Sequence, residues 1–252
     1  GRKIKHFLWK DIPHNLFIRR IQRGIRKIRK ERKQENTEKK HKKGMVLIHG
    51  TGKAGWQEIV KSHFIKGKER EAIGEILIVH YDYTDGIKKS CYNVWEQIRN
   101  HFETDAKIVL VGHSQGGIIA RTLVEHEAFA QRNNEKKSII KAIFCLSAPL
   151  RGVPALNFLN HGKEDYPPSS RDMAVASRFI QELREEIKRK KEGQPQIFEI
   201  AADNDVIVDQ KLCLTHASNV TESKIIPGGH FTATRSKSLW REFILPKAIE
   251  SL

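Results

Sequence analysis

The sequence predicts an α/β fold: a mostly parallel sheet of about six strands with helices on both faces. Three observations carry that reading. Short apolar runs alternate with longer amphipathic stretches from residue 45 to the end of the 252-residue chain, an order that builds helix-covered parallel sheets. The runs are almost continuously apolar, as strands are when both their faces are buried. One of them, Lys107–Val111, leads into Gly112-His113-Ser114-Gln115-Gly116 at the head of a helical stretch. That is a strand, a sharp turn and a helix with a serine at the apex.

Residues 1–43 precede the alternation. They hold 17 Lys/Arg and 4 Asp/Glu, a balance of +13 out of the chain's +16, so the basic character belongs to this arm and the rest is near neutral. Phe17, Ile21, Ile25 and Ile28 recur at helical spacing among Arg and Lys, the pattern of a basic amphipathic helix, which fades into a polar linker over 29–43. Such a helix either lies on an anionic membrane or partner surface or packs its isoleucines on the body. A nucleic-acid partner is the weakest reading of the charge. The expected division is an arm over 1–43 and one domain over 44–252.

Within the domain, strands are expected at 45–49, 75–81, 107–111, 139–146, 196–201 and 223–226, and helices at 55–66, 89–102, 115–131, 173–191 and 236–250. About fifty residues separate the fourth strand from the fifth. This insertion, about 150–192, is the expected place of a lid or cap. The loop 151–172, with Pro167-Pro168-Ser169-Ser170, is the better candidate for a mobile cover. Val175, Phe179, Ile180, Leu183 and Ile187 stripe the helix after it, which reads as an ordinary amphipathic helix packed on the sheet rather than as a lid.

Composition narrows the classes. Cys91, Cys145 and Cys213 are too few and too scattered for a disulfide framework and fit a reducing compartment. Cys145, in an apolar strand, reads as a small buried hydrophobe. No run approaches the ~20 apolar residues of a membrane span, and no signal peptide is legible. Gly1 is not a methionine, which leaves open a leader or anchor ahead of it. The expected location is cytoplasmic or peripherally membrane-associated. No cluster has metal-ligand spacing, and Gly50-Thr51-Gly52-Lys53 lacks the phosphate-loop spacing, so neither metal nor cofactor is expected. Asn219-Val220-Thr221 is a glycosylation sequon without a secretory context.

The chemistry starts from Ser114. A serine hydroxyl attacks only when a base takes its proton, and the turn sets it beside helix N–H groups able to receive negative charge. Gln196–Val208 is a strand ending in carboxylates, where Asp203, Asp205 and Asp209 compete as the group that orients the base. Lys224-Ile-Ile-Pro-Gly-Gly-His230 is a strand ending in a loop histidine. The order is serine, aspartate, histidine, each after a strand. His113 reads as structural, hydrogen-bonded under the turn. Trp56 reads as packing of the first helix.

At His49-Gly-Thr-Gly52, Gly112-His-Ser-Gln-Gly-Gly117, Leu146-Ser-Ala-Pro-Leu-Arg-Gly-Val-Pro154, Asp205-Val-Ile-Val208 and Gly229-His230, the chain resembles the α/β-hydrolases. More narrowly, it resembles lipases and esterases of the small bacterial lipase and GPI-inositol-deacylase-like kind. Asp172–Leu183 resembles a segment found after the sixth strand of such lipases. The resemblance covers roughly residues 45–250. It implies the α/β-hydrolase fold in a minimal form, with the two leading antiparallel strands absent and the basic arm in their place. It implies a serine carboxyl-ester hydrolase with Ser114 as nucleophile, His230 as base and Asp205 as acid. Backbone N–H groups of Gln115 and Thr51 would form the oxyanion hole, without need of the Thr51 side chain. Pro149 and Gly152 would shape the loop lining the acyl pocket. The partner the resemblance implies is a lipid or other acyl-ester substrate; an anionic membrane surface met by residues 1–43 is suggested by the basic arm itself. An acyltransferase or thioesterase with the same triad is the alternative within enzymes, and a non-catalytic membrane- or partner-binding module the alternative outside them.

Overall fold

The computed structural model describes residues 40–52, 55–125, 138–160, 166–189 and 193–252. Most of the basic arm, the end of the helix expected over 115–131 and part of the 151–172 loop lie outside the described residues.

Six parallel strands form one sheet in the order β2-β1-β3-β4-β5-β6: β1 His41–Ile48, β2 Glu75–Ile78, β3 Phe102–His113, β4 Ile140–Leu146, β5 Gln196–Ala202 and β6 Glu222–Ile226. Successive residues of each strand point to opposite faces, and here both faces are apolar. Val46, Ile48, Ile108, Leu110, Ile143 and Cys145 are buried on one face. Met45, Leu47, Val109, Val111, Phe144 and Leu146 are buried on the other. This two-sided burial is why the strands read as unbroken apolar runs.

The first face is covered by α3 (Ile87–His101), α4 (Gln115–Glu125) and α6 (Arg178–Lys188), which contribute Val94 and Ile98, Ile118 and Leu123, and Ile180 and Leu183. The short α5 (Pro168–Asp172) precedes α6. The second face is covered by α1 (Trp56–Ile59), α2 (Lys68–Ile73) and the C-terminal helix α8 (Leu245–Ser251). Trp56 and Trp240 stand there with ring centroids 6.2 Å apart. A single turn, α7 (Gln210–Cys213), follows β5.

Several boundaries differ from the sequence expectation, among them the end of β2, at Ile78 rather than residue 81. β1 begins at His41, and His41 pairs with Phe102 of β3, so residues 41–43 belong to the sheet and β3 starts five residues ahead of its apolar run. The register shifts between the His41–Phe102 and Lys43–Lys107 pairs, so polar Glu103, Thr104 and Asp105 fall in an irregular stretch of β3. Val60–Phe64 and Trp240–Ile244 are π-turns continuing their helices, which a 3.6-residue period does not register. The helix expected over 173–191 starts at Arg178, because Ser177 accepts a bond from Ile180 N and caps it.

All three cysteines are buried and unpaired. Burial pushes the Cys145 thiol up to about 12, so it stays neutral. No helix among the described residues is long and apolar enough to cross a membrane.

Candidate active site

The strand order reverses direction at β1. β2 lies on one side of it and β3 on the other, a topological switch point of the kind that opens a crevice beyond the strands' C-terminal ends. Ile48 pairs with Gly112, so the loop after β1 and the turn after β3 lie side by side. A Cβ added to Gly50 would stand 2.9 Å from Ser114 Cβ. Only a glycine allows that approach.

Ser114 occupies the left-handed region at φ 54, a conformation costing an L-residue about 1–2 kcal/mol. It is held there from both sides: its N–H donates to Leu146 O at 2.8 Å, and its carbonyl accepts from Gly117 N at 2.9 Å. A Cβ on Gly116 would fall 2.3 Å from the carbonyl oxygens of Ile48 and His49, so the glycine lets α4 start against β1. Strain retained by this much surrounding structure marks a functional position.

Gln115, the first residue of α4, is fully buried. Its side chain joins two loops. Its Oε1 accepts from Thr51 Oγ1 at 2.9 Å, and its Nε2 donates to Tyr83 O at 3.0 Å. The Thr51 hydroxyl, which a backbone donor role does not need, thus ties the loop after β1 to the helix that begins at the serine. Tyr81 adds a second tie, its hydroxyl donating to His49 O at 2.6 Å and its ring stacked on His49 at 4.2 Å. Burial raises the Tyr81 hydroxyl pKa, keeping it a donor. Sequence reasoning missed Tyr81 and Tyr83, because a tyrosine after a strand carries no local signal of a partner thirty residues away.

Among the carboxylates, Asp205 is the one brought to His230. Its Oδ2 accepts from Nδ1 of His230 at 2.7 Å, and its side chain is entirely buried. Its Oδ1 accepts from the N–H groups of Ile207 and Val208 at 2.9 and 2.8 Å. Both oxygens are therefore filled and the carboxylate is fixed. Asp203 is exposed, and its Oδ1 accepts from Gly228 N and Asn204 Nδ2, closing the β5 loop onto the β6 loop. Asp209 caps α7 by accepting from Lys211 N.

Donation from Nδ1 of His230 leaves Nε2 as the basic nitrogen. No hydrogen bond joins it to Ser114 Oγ among the described residues; the link between the two residues runs through His113. The His113 ring is buried, 4.7 Å from the His230 ring, and its Nε2 lies 2.9 Å from the His230 carbonyl. A carbonyl only accepts, so Nε2 of His113 carries the proton. Burial pushes the His113 pKa down to about 4, so this imidazole is neutral near pH 7 and brings no second charge beside His230.

Among the described residues, two other non-glycine residues share the left-handed region, Ser147 at φ 46 and His216 at φ 53. Pro149 and Gly152 close a turn after β4, with Gly152 N donating to Pro149 O at 2.9 Å. The rim beside the Asp205–His230 pair is apolar and open: Val206 is 96% exposed, Ile207 57% and Phe231 38%.

Residues 66–163 match the family model of the PGAP1-like alpha/beta domain. That stretch includes Ser114 and Gln115 and excludes Thr51, Asp205 and His230. No curated protein matches the chain. Among solved structures, it is similar to the mature form of the lipase BlEst2 from Bacillus licheniformis (TM-score 0.60, 13% identity, covering 82% of this chain and 93% of that one). It is similar to the phospholipase PlaB from Legionella pneumophila in complex with thio-NAD (TM-score 0.62, 12% identity, 83% of this chain and 61% of that one). It is similar as well to the monoacylglycerol lipase of Paleococcus ferrophilus (TM-score 0.54, 13% identity, 82% and 94%). Likeness at these identities is likeness of fold, and the fold is that of the α/β-hydrolases, in a six-stranded all-parallel form.

Proposed function

We propose that the chain is a serine carboxyl-ester hydrolase acting on lipid or other acyl esters through an acyl-enzyme. The observation that carries this reading is the 2.7 Å bond between the buried Asp205 carboxylate and His230, on loops beside a serine held at φ 54. Asp205 holds the imidazole in the tautomer whose Nε2 is basic and stabilises the cation that forms when Nε2 takes a proton. In this mechanism Ser114 Oγ attacks the ester carbonyl as His230 removes its proton. The tetrahedral oxyanion is received by the backbone N–H groups of Gln115 and Thr51. His230 returns the proton to the leaving alcohol, and water then repeats the sequence on the acyl-enzyme, releasing the acid and restoring Ser114. The open rim of Val206, Ile207 and Phe231 favours acyl substrates over hydrated ones. Fold alone does not assign chemistry; the lipases and phospholipase named above support the class, and the site supports the residues.

Intact-protein mass spectrometry after exposure to a fluorophosphonate tests the reading. One adduct on the wild type, absent from Ser114→Ala, is the expected result. An unlabelled wild type both with and without added detergent, or an adduct that persists in Ser114→Ala, would overturn it.

A further inference from the structure

The loop from Thr215 to Val220 returns from α7 to β6 and forms one wall of a cavity of about 480 Å³. Arg151, Arg184, Lys188 and His216 all line it, and among the described residues no carboxylate does. None of these residues belongs to the proposed triad or oxyanion hole.

Arg184 and Lys188 stand four residues apart on α6, so they project on one side of that helix. Arg184 makes no hydrogen bond or ion pair among the described residues. Lys188 pairs with Glu185 at 2.7 Å, but both side chains are 64% exposed, and a solvated pair of that kind holds its partners weakly. Among the described residues, the Arg151 guanidinium bonds to a carbonyl, that of Lys211 at 3.4 Å, and to no carboxylate. Cations gathered round one cavity without a facing anion repel one another and focus a positive potential in it.

The opposite wall is built to stay in place. Glu199 of β5, fully buried, accepts from both the N–H and the hydroxyl of Thr215, at 2.7 and 2.6 Å. Arg121 of α4, also fully buried, donates to Asn219 Oδ1 at 3.0 Å and lies 2.9 Å from Glu125 Oε1. The loop is therefore pinned at Thr215 and at Asn219 from inside the molecule. Between those points His216 is exposed and held at φ 53. A non-glycine residue persists there only where its surroundings over-determine it. The scaffold thus fixes the backbone that carries an imidazole lining the cavity, whose other wall supplies two guanidinium groups and an ammonium.

We propose that this cavity is an anion site for a phosphate group. Guanidinium forks match phosphate oxygens in geometry as well as charge, and Lys188, His216 and Ser218 add single donors round them. The phosphate is carried either by a lipid headgroup at a bilayer surface or by a small soluble ester.

The test compares the full chain with two variants, Arg184→Gln/Lys188→Gln on α6 and Arg151→Gln on the separate loop. Circular dichroism and melting temperature establish that each is folded. Binding of glycerol 3-phosphate is measured by calorimetry against sodium chloride of matched ionic strength. Binding of phosphatidylcholine vesicles with and without phosphatidate is measured by sedimentation. The basic arm is common to all three proteins, so differences between them report the cavity. We expect the wild type to bind at least one phosphate probe about tenfold more tightly than either variant does. A difference with glycerol 3-phosphate identifies a soluble ester, and one confined to phosphatidate vesicles identifies a headgroup. Equal binding by all three proteins to both probes, or no wild-type binding above the chloride and phosphatidylcholine controls, would overturn the proposal. The readout is binding alone, so it stands or falls separately from turnover at Ser114.

Discussion

Asp203 and Asp205 leave the same strand two residues apart, yet only one meets an imidazole. The difference lies in what each oxygen already accepts. Asp203 spends Oδ1 on Gly228 N and Asn204, a bond pattern that an amide oxygen also satisfies. Asp205 needs an acceptor at Oδ2 for His230 and another at Oδ1 for two backbone donors, and an amide supplies only one. Asp205→Asn is accordingly expected to lower ester turnover by about 10³–10⁴, while Asp203→Asn stays within a few fold of wild type; steady-state kinetics on one soluble ester checks both. His113 carries a second prediction. Its pKa falls from an ordinary 6.5 to about 4 on folding, so between those values the unfolded chain binds the extra proton. Stability from this group is complete above pH 6.5 and drains away as pH falls toward 4, by on the order of 3 kcal/mol. Urea unfolding of wild type and His113→Gln across that range should show the steeper acid loss in the wild type, and parallel curves would refute it. At this scale the sequence announces Ser114 through the residues immediately round it. It prefers Asp205 to Asp203 by the resemblance of Asp205-Val-Ile-Val208 alone, because what physically separates them is a contact 25 residues further along the chain. Arg121 and Glu125 are more opaque still, since an i,i+4 pair of opposite charge reads as a solvated helix face and is here fully buried.

The elements show the same division between local and distant causes. The central strands were legible because both their faces are apolar, whereas edge strand β6 exposes four of its five residues. The early start of β3 was not legible, because it rests on the single pair His41–Phe102 beyond an irregular polar stretch, Glu103–Asp105. For α6, an apolar stripe is compatible with a lid and with a packed helix, and periodicity does not distinguish them. In the structure, Phe179, Ile180, Leu183 and Ile187 are buried in the same core as α3 and α4. Leu183→Ala should therefore cost about 2–5 kcal/mol of stability, measurable by denaturant unfolding, whereas a helix resting on the mouth of the site as a mobile cover would lose far less. The cap at Ser177 fixes where the helix begins, and Ser177→Ala should cost a further ~1 kcal/mol.

For the molecule as a whole, charge and the proposed catalytic groups occupy different stretches of chain. Residues 1–39 hold 14 Lys/Arg against 4 Asp/Glu. Because β1 starts at His41, a deletion that spares the sheet ends at residue 39. Such a deletion is expected to weaken sedimentation with anionic liposomes and leave turnover of a soluble ester nearly intact; unchanged liposome binding would sink the membrane role of the arm. Within the domain, the all-parallel order places the groups proposed to stabilise negative charge and those proposed to carry the proton in separate halves. Thr51, Ser114 and Gln115 all precede β4, and Asp205 and His230 both follow it. The bond from His113 to the His230 carbonyl is a seam between those halves. Inheritance can therefore act on them separately: under the proposed mechanism, a change upstream retunes how the intermediate is held, and a change downstream retunes when the proton is delivered. Compensating second mutations should gather on the same side of the seam as the first, except at the two histidines that meet across it.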